Sequence, residues 1–469
     1  MTRRTADESV LHDPAGLAAL APAGFTVGTA TSAFPTEGAI RDGGREPSNW
    51  DVFMAQDERI SDGSDASIAA DAYGRVGGDV RLLRELGVDA HRFSFGWSRL
   101  QPGGRGGPNR QAVAHYDRLV DELLAAGIRP HATLHHFDLP EPLQVAGGWL
   151  NRDTASRLAD YAFLAGEAFG DRIASWTTIT DPATVMLRGY ATGLDAPGSR
   201  LGFGALSAAH LQLLGHGLAV EALRAAGVSG GVGIANLHRP VEPATDRRRD
   251  ELAAELFDVV HNRLFADPIL LGRYPEWPEE LRHLATGAES GSGFNFDEIE
   301  PADLAAISRP IDFWGLGYAG PARVRAGARI DPLPFAFDPW PEFPETSSGE
   351  PSAPEYLAVA LRELGERYGE SLPAVHVAAI GASYTDIVLR DGSIDDAARA
   401  VYLGEHLAVA FGGVAGVDVR AAFLQPLVDG WEWTAGFGQP RGLVHVNRET
   451  QDRTPKRSYR WLQSVLGHR

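Results

Sequence analysis

The sequence is most unusual for the side chains that it lacks. It contains no cysteine, and Lys456 is the only lysine among its 469 residues, so arginine carries almost all of the positive charge. Without cysteine the chain can form no disulfide bond, no thiolate nucleophile and no metal site built on thiolates. These three classes of chemistry are therefore excluded.

Basic clusters and long apolar runs are missing as well. The formal net charge is −19 and no cluster of basic residues stands out, which argues against nucleic acid or an anionic membrane as a partner. No apolar run approaches the ~20 residues of a membrane span, and residues 1–25 place acidic side chains where a signal peptide needs an uninterrupted apolar region. We therefore expect a soluble, cytoplasmic protein that acts on a small-molecule ligand.

The sequence does contain a regular alternation of apolar strand segments and amphipathic helical segments. Such alternation is typical of parallel β-α-β construction. Helices are predicted at residues 78–87, 111–127 and 154–170. The predicted strands cover residues 25–32, 88–97, 128–136, 173–180, 230–238, 311–318, 374–382 and 417–429. This rhythm favours an α/β fold of the closed (β/α)8 type, the TIM barrel.

In such a barrel the reactive side chains lie on the loops that follow the strands. The loops after the predicted strands should therefore surround one pocket. The Pro/Gly/Ser-rich segment 330–355 is too irregular for a regular element and is predicted to form a lid or rim. Residues 286–298 are predicted to form a mobile loop.

One predicted strand end carries a carboxylate in a position suited to catalysis. The strand at 173–180 runs directly into Asp181 and Pro182. A carboxylate at the mouth of a barrel is a candidate catalytic acid. The alternative is that Asp181 only caps the helix that follows it, which is a frequent use of aspartate.

Several strand ends carry motifs of a known family. In order and spacing they resemble the β-glucosidases of glycoside hydrolase family 1 over residues 23–466. The resemblance implies a single (β/α)8 barrel domain preceded by an N-terminal extension of residues 1–22. The motifs read GTATSAFPTEGA, DGGREPSNWDVF, LGVDAHRFSFGWSRLQP, HHFDLPEPLQVAGGWLNRDT, GYATGLDAPG, VDGWEWTAGF and RTPKRSYRWLQSVL.

The resemblance also implies a reaction, the hydrolysis of β-glycosides with retention of configuration and without a cofactor. Members of the family use two glutamates. One ends the fourth strand in a Thr-x-Asn-Glu-Pro motif and is the acid and base, whereas the other ends the seventh strand in an Ile-Thr-Glu-Asn-Gly motif and is the nucleophile. In a retaining enzyme these two carboxyl groups sit ~5–5.5 Å apart, and both are required.

The fourth-strand motif departs from the family pattern at two positions. Asp181 matches the acid/base glutamate but retracts the carboxyl group by one methylene, about 1.5 Å. A displacement of this size matters because proton transfer needs heavy atoms within ~2.6–3.2 Å or a bridging water. Thr180 matches the asparagine that binds the sugar 2-hydroxyl, so that contact is weakened or lost.

The seventh-strand motif has lost its carboxylate altogether. Ala379 matches the nucleophile, and no acidic residue lies within two positions of it. The segment from Pro373 to Gly381 is one residue longer than the family pattern, so the register could shift by one. Strand alternation predicts that His376 points outward from the barrel.

Some of the residues that match the family's sugar-binding residues are of a different type. Pro35 matches a glutamine that binds sugar hydroxyls, and Gln425 matches the tryptophan on which the sugar lies. His136, Glu432 and Trp433 match sugar-binding residues and are retained. We therefore expect a binding pocket with altered specificity.

Arg92 and Tyr318 match the pair that contacts the family's nucleophile. With Ala379 in place of the glutamate, a buried guanidinium has lost its expected partner, which costs several kcal/mol. Our hypothesis is that a carboxylate or other anion on the ligand takes the vacated place, bound by Arg92 and Tyr318. The alternative is that another acidic residue or water fills it.

The segment HATLHHFD raises the question of a metal site, because it contains His131, His135, His136 and Asp138. On a strand, His131 and His135 share one face while His136 takes the other, so the three cannot converge on one ion. We therefore expect no metal site. The segment GGVGIA lacks the helix and the acidic residue of a dinucleotide-binding motif, so we expect no cofactor.

Three functions remain open for an intact scaffold with a damaged catalytic pair. The first is a repurposed enzyme in which Asp181 acts as a lone acid or base on a small glycosylated or acidic molecule in specialised metabolism. The second is a residual or substrate-assisted β-glycosidase. The third is a binding protein without catalysis. Loss of the nucleophile together with the sugar-binding glutamine, asparagine and tryptophan favours the first.

Overall fold

The structure is a computed structural model that describes residues 8–286, 294–330 and 332–469. Its barrel strands are short runs of β-branched, small and aromatic residues, and Thr26–Ala30 and Ser175–Thr180 are buried at every position. This burial is typical of parallel sheets covered by helices. The strands are β1 Thr26–Ala30, β2 Ala90–Ser94, β3 Arg129–His135, β4 Ser175–Thr180, β5 Gly231–Leu237, β6 Val241–Pro243, β7 Phe313–Gly317, β8 Ala322–Ile330, β9 Leu333–Asp338, β10 Ala374–Ile380, β11 Ile387–Val388, β12 Ile394–Asp395, β13 Val419–Leu424, β14 Val444–Val446 and β15 Arg453–Pro455.

Within the described ranges, eight parallel strands close into a barrel in the order β1-β13-β10-β7-β5-β4-β3-β2. The barrel closes at β1, where Thr26 pairs with Ala421 of β13 and Gly28 pairs with Ala90 of β2. Each of the predicted strand segments contains one barrel strand. The predicted (β/α)8 barrel is confirmed.

The helices begin and end where the sequence carries capping residues. The Asn109 and Asn151 side chains accept hydrogen bonds from the backbone N–H of Gln111 and Asp153 at two helix starts, and Gly87 ends another helix in the left-handed conformation. Two further segments, Val185–Ala191 and Val259–Arg263, are π-helical. The helices are α1 Pro14–Ala19, α2 Ala33–Glu37, α3 Asn49–Met54, α4 Val76–Leu86, α5 Trp97–Leu100, α6 Arg110–Ala125, α7 Glu141–Val145, α8 Arg152–Phe169, α9 Pro182–Thr184, α10 Leu206–Ala225, α11 Arg248–Asp258, α12 Leu264–Leu271, α13 Arg282–Thr286, α14 Pro301–Ile307, α15 Pro354–Tyr368, α16 Ala397–Gly412 and α17 Arg457–Leu466.

The segment 330–355 contains a strand that the sequence prediction missed. Strand β9 pairs antiparallel with β8 and extends a small sheet with β6 outside the barrel. The pairing with β8 supplies hydrogen bonds to the backbone of a segment whose proline- and glycine-rich sequence predicted none. The rest of the segment is irregular, and the Ser347 N–H donates to the Ser383 carbonyl beside the end of β10 at 2.8 Å.

The described part of the N-terminal extension packs on the barrel rather than standing apart. Leu17 of α1 is buried in the same apolar core as Leu466 of α17. The predicted mobile loop at 286–298 lies largely outside the described residues. Of the helices that the structure describes, none combines the length and the apolar character needed to cross a membrane.

Candidate active site

A cavity of about 200 Å³ opens at the C-terminal end of the barrel. Every barrel strand, or the loop that follows it, contributes to its lining, as the barrel rule predicts. One lining residue from each, in the order of the strands along the chain, is Ser32, Arg92, His136, Asp181, Leu237, Tyr318, Ala379 and Gln425.

Asp181 is half-buried in this cavity and is held by its backbone. Its φ of 47° is left-handed, its N–H donates to the Ala235 carbonyl at 2.8 Å, and its side chain makes no capping bond to α9. Its carboxyl group accepts a hydrogen bond from the Leu237 N–H, and burial raises its pKa to about 6 against the opposing charge of Arg92. The side chain is therefore free to meet a ligand, with a pKa suited to proton transfer near neutrality.

Strand β10 contains a bulge at Ala379, the position that the sequence analysis matched to a nucleophile. The register against β7 and against β13 shifts after Val377, so that Ala378 and Ala379 both line the cavity. The extra residue inferred from the sequence is accommodated in this bulge. Within the described residues that line the cavity, β10 therefore contributes two methyl groups and no carboxylate.

Gly317 lies between Asp181 and Ala379. It pairs with Ala379 across β7 and β10, and a Cβ atom placed on it would lie 3.3 Å from Asp181 Oδ1. The structure therefore brings Asp181 and Ala379 to opposite sides of one glycine. Any larger residue there would crowd the carboxylate.

The bulge also changes the direction of His376, which was expected to point outward. Its ring stacks on Phe313 with centroids 4.4 Å apart and approaches Phe423, whose ring centroid lies 5.8 Å from Arg92 Cζ. His376 therefore points into the barrel, below the cavity. Residues three apart on a regular strand face opposite ways, but the extra residue puts His376 and Ala379 on the same side.

Arg92 is 6% exposed. Its hydrogen-bond acceptors are neutral groups and not the carboxylate that was expected. Its Nη2 donates to the Ala378 carbonyl at 2.8 Å and lies 3.5 Å from Gln425 Oε1. No carboxylate of the described residues comes within ion-pair distance of Arg92. Burial lowers its pKa to about 10, although the charge of Asp181 opposes this.

A second guanidinium lines the cavity, and the sequence interpretation missed it. Arg441 Nη2 donates to the Gly381 carbonyl at 2.9 Å, two residues beyond Ala379. Arg441 faces Glu432, whose pKa is raised by burial and lowered in part by Arg441. No sequence motif indicates a role for Arg441, because it lies in an irregular loop that reaches the cavity only when the barrel closes.

Aromatic rings form one wall of the cavity. Trp433 stacks on Phe34 with centroids 5.8 Å apart, contacts Trp50 and Phe137, and lies 6.1 Å from the His136 ring. Burial lowers the pKa of His136 to about 3, so its imidazole is neutral and can both donate and accept. The sequence-predicted residues His136, Glu432 and Trp433 are thus brought together.

Two other predicted residues take less expected roles. The Tyr318 hydroxyl donates to the Ala353 carbonyl at 2.6 Å, so its proton is directed at the backbone rather than at the space beside Arg92. Thr180 Oγ1 is buried and has no hydrogen-bond partner among the residues that the structure describes. Thr180 is also among the residues that line the cavity.

The histidine-rich segment on β3 is distributed over separate partners. His131 Nδ1 bonds to Ser175 Oγ at 2.5 Å, His135 Nε2 accepts from Trp149 Nε1 at 2.9 Å, and His136 faces the cavity. These side chains serve packing and the pocket rather than one shared ligand.

Over the described ranges, one group of three metal-ligating side chains comes close together, formed by Asp386, Asp429 and His445. The ammonium group of Lys456 lies 2.6 Å from Asp386 Oδ2 and 2.7 Å from Asp429 Oδ1. The single lysine of the chain therefore already supplies the cation that this group requires. We assign the cluster a structural role outside the active site.

Comparison with known proteins supports the same scaffold. Residues 18–469 match the family model described as Glycosyl hydrolase family 1. A β-glucosidase from Agrobacterium sp. is 36% identical over 467 residues, covering 97% of this chain and 97% of that protein. The structure of a psychrophilic β-glucosidase from Micrococcus antarcticus is 37% identical, with a TM-score of 0.86 over 95% of this chain and 97% of its own.

A further solved structure, a β-glucosidase from Thermotoga maritima in complex with glucoimidazole, is 32% identical, with a TM-score of 0.87 over 96% of this chain and 99% of its own. Identity above 30% along nearly the full length of both chains accompanies the same closed barrel. The chain belongs to glycosyl hydrolase family 1.

Proposed function

We propose that this family member is a repurposed enzyme in which Asp181 moves a proton on a small glycosylated or acidic molecule, without a nucleophile from the protein. The observation that carries the proposal is the pairing of a cavity-facing Asp181, with a pKa of about 6, and two alanines where a second carboxylate would be needed. A fold hosts many chemistries, and the side chains in its site decide among them.

The chemistry available to Asp181 is general acid or base catalysis. As a carboxylate it can remove a proton from the ligand, and as a carboxylic acid it can protonate a leaving oxygen. One well-placed group of this kind contributes about 10²–10⁴-fold to a proton-transfer step. That is enough for an elimination, a cyclisation or an isomerisation whose barrier is already modest.

The rest of the cavity supports a glycoside-like ligand. The Trp433 ring offers an apolar face, and His136 and Glu432 offer hydrogen bonds beside it. The Thermotoga maritima relative is described in complex with glucoimidazole, a sugar-like molecule. By contrast, Gln425 and Pro35 remove an aromatic platform and a hydrogen-bonding side chain, which supports a ligand other than a simple β-glucoside.

Release of an aryl group from β-glucosides and β-galactosides tests whether ordinary hydrolysis has been abandoned. We expect wild type to fall far below the ~1–10³ s⁻¹ of typical enzymes. Ala379→Glu should raise the rate by restoring a carboxylate opposite Asp181. Wild-type turnover within the typical range, abolished in Asp181→Asn, would contradict the proposal and support a residual glycosidase.

A metabolite extract of the source organism tests for the new reaction. We expect wild type to convert at least one compound, Asp181→Asn to convert it about 10²–10⁴-fold more slowly, and Asp418→Asn to behave as wild type. Asp418 is the matched control because it lies at the opposite end of the barrel. A compound that binds but is never converted would support a binding protein instead.

A further inference from the structure

We infer that the ligand of this cavity carries a carboxylate, which binds beside Ala379 between the guanidinium groups of Arg92 and Arg441. The inference rests on the proposed function, because it names the substrate class for the same site. It goes beyond that function by assigning Arg441 a role in binding and by making the ligand supply a charge that the protein has lost.

The first argument is the incomplete bonding of Arg92. A buried guanidinium offers five N–H donors, and burying its charge is costly unless it is paired. Arg92 donates to one backbone carbonyl and makes one long contact to Gln425, while its Nε and Nη1 bond to none of the described residues. A carboxylate accepting from these donors would restore the missing pairing in the strongest available geometry.

The second argument is the arrangement of the two arginines around the bulge. The carbonyls of Ala378 and Gly381 hold Arg92 and Arg441, one residue before and two residues after Ala379. Both guanidinium groups line the same cavity as the Ala379 methyl group. The bulged segment therefore presents two fixed cations on either side of a position without a side chain beyond Cβ.

The third argument is the side chain at position 379. The resemblance matches Ala379 to a glutamate, so a carboxylate beside Arg92 is the group that this chain does not supply. Thr180, which also lines the cavity, has a buried hydroxyl group without a partner among the described residues. A ligand carboxylate would supply the charge that alanine does not.

A bound carboxylate also has a consequence for Asp181. A second negative charge nearby disfavours ionisation of Asp181, so the ligand should bind together with a proton on that side chain. In this way the ligand converts Asp181 into an acid ready to donate. The titratable and charged groups that line the cavity around Asp181, from β2, β3, β7 and the loop after β13, are Arg92, His136, Tyr318, Glu432 and Arg441.

Calorimetric titration with acetate and with acetamide, at constant ionic strength, tests the charge requirement. The two probes have nearly the same shape, and we expect wild type to bind acetate measurably and acetamide at least about tenfold more weakly. We expect Arg92→Met to weaken acetate binding about tenfold or more, and Arg441→Met to weaken it by a smaller factor. Arg118→Met, an exposed helix position, should bind as wild type.

The pH dependence tests the link to Asp181. Acetate affinity in wild type should fall by up to about tenfold per pH unit above pH 6, because one linked proton becomes harder to take up. In Asp181→Asn the affinity should stay nearly constant over the same range. The same constancy in Glu432→Gln but not in Asp181→Asn would assign the proton to Glu432 and overturn this part of the inference.

The outcomes separate this inference from the proposed function. Equal binding of acetate and acetamide by wild type, or unchanged acetate binding in a folded Arg92→Met variant, would overturn the carboxylate site. An Asp181-dependent reaction on a neutral compound would leave the proposed function standing without it. Charge-selective binding with no compound converted would support the carboxylate site and contradict the enzyme.

Discussion

Two buried arginines on neighbouring segments have opposite surroundings. Arg99 in α5 donates to Glu37 at 2.8 Å, to the backbone carbonyls of Asp42 and Gly38, and lies over the Tyr73 ring. Arg92 in β2 has one carbonyl and one long amide contact. Burial acts to lower the pKa of both guanidinium groups. In Arg99 the charge of Glu37 outweighs burial and the pKa is raised, whereas the pKa of Arg92 falls to about 10.

The two arginines differ in the partners that their surroundings supply. Arg99 completes a network with Glu37 and Tyr116 that joins α5 to α2 and α6. Arg92 faces a cavity and is short of acceptors among the described residues. We propose that Arg99 stabilises the fold and that Arg92 binds a ligand, and the following predictions probe that distinction.

The largest expected effect is on folding stability. Arg99→Met should lower the free energy of unfolding by about 3–5 kcal/mol, because it leaves Glu37 buried without its partner. Arg92→Met should not lower it, because the variant removes a buried charge that has no carboxylate partner and breaks bonds only to neutral acceptors. Urea unfolding of both variants measures the contrast. Equal losses would mean that Arg92 is structural after all.

Asp181→Asn should stabilise the protein at high pH. The folded pKa of Asp181 is about 6 against an ordinary value of 3.8, so the folded chain holds the proton more tightly and stability falls as pH rises through this window. The variant should gain up to about 2–3 kcal/mol at pH 8 and nearly nothing below pH 4.

The control for that prediction is Asp303→Asn, in which the sign reverses. The hydrogen bond from Arg152 lowers the pKa of Asp303, so the ionised carboxylate stabilises the fold and its removal should destabilise it at pH 8. Unfolding curves at pH 4 and pH 8 decide both. A loss of stability in Asp181→Asn at pH 8 would show that Asp181 serves the fold.

Ala379→Glu should give Arg92 a carboxylate partner, as Glu37 is for Arg99. A protein carboxylate beside Arg92 would occupy the proposed anion site and weaken acetate binding by about tenfold or more. It should also raise the pKa of Asp181 further, because like charges disfavour ionisation. Ala379→Gln has the same size without the charge. If both variants block acetate equally, occupied space rather than charge explains the loss.

The smallest effect is expected at an arginine on the surface. Arg118 is 61% exposed on α6 and pairs with Glu122 one helical turn away at 2.7 Å. Arg118→Met should cost about 0.3–0.5 kcal/mol, because water already solvates both charges. A loss comparable to that of Arg99→Met would mean that burial does not separate these classes of arginine.

Local patterns in the sequence were enough to predict the barrel and about half of the residues that line the cavity. Apolar runs and helix caps repeat along the chain, and each acts over a few residues, so the strands could be placed by pattern alone. The family motifs placed Asp181, His136 and Trp433 at strand ends, and the barrel brings them to one cavity. The same motifs predicted that Ala379 stands where the family pattern has a carboxylate.

The missed features depend on contacts between segments that the periodicity of the sequence does not show. Strand β9 exists because β8 lies beside it, and the orientation of His376 follows from a bulge that only the neighbouring strands β7 and β13 define. Arg441 reaches the cavity from an irregular loop, held by the Gly381 carbonyl. None of these contacts leaves a periodic signal along the chain.

The sequence by itself determined the barrel, and it supplied the prediction that Asp181 has kept a catalytic carboxyl group while Ala379 has lost one, because these follow from residue identity and short-range periodicity. Only the tertiary structure decided what surrounds these two residues. It turned the Ala378 carbonyl toward Arg92, directed the Tyr318 hydroxyl to Ala353 and placed Arg441 on the cavity wall. The physical reason is that hydrogen bonds and charge pairing depend on distances in space, which chain closure sets and sequence spacing does not.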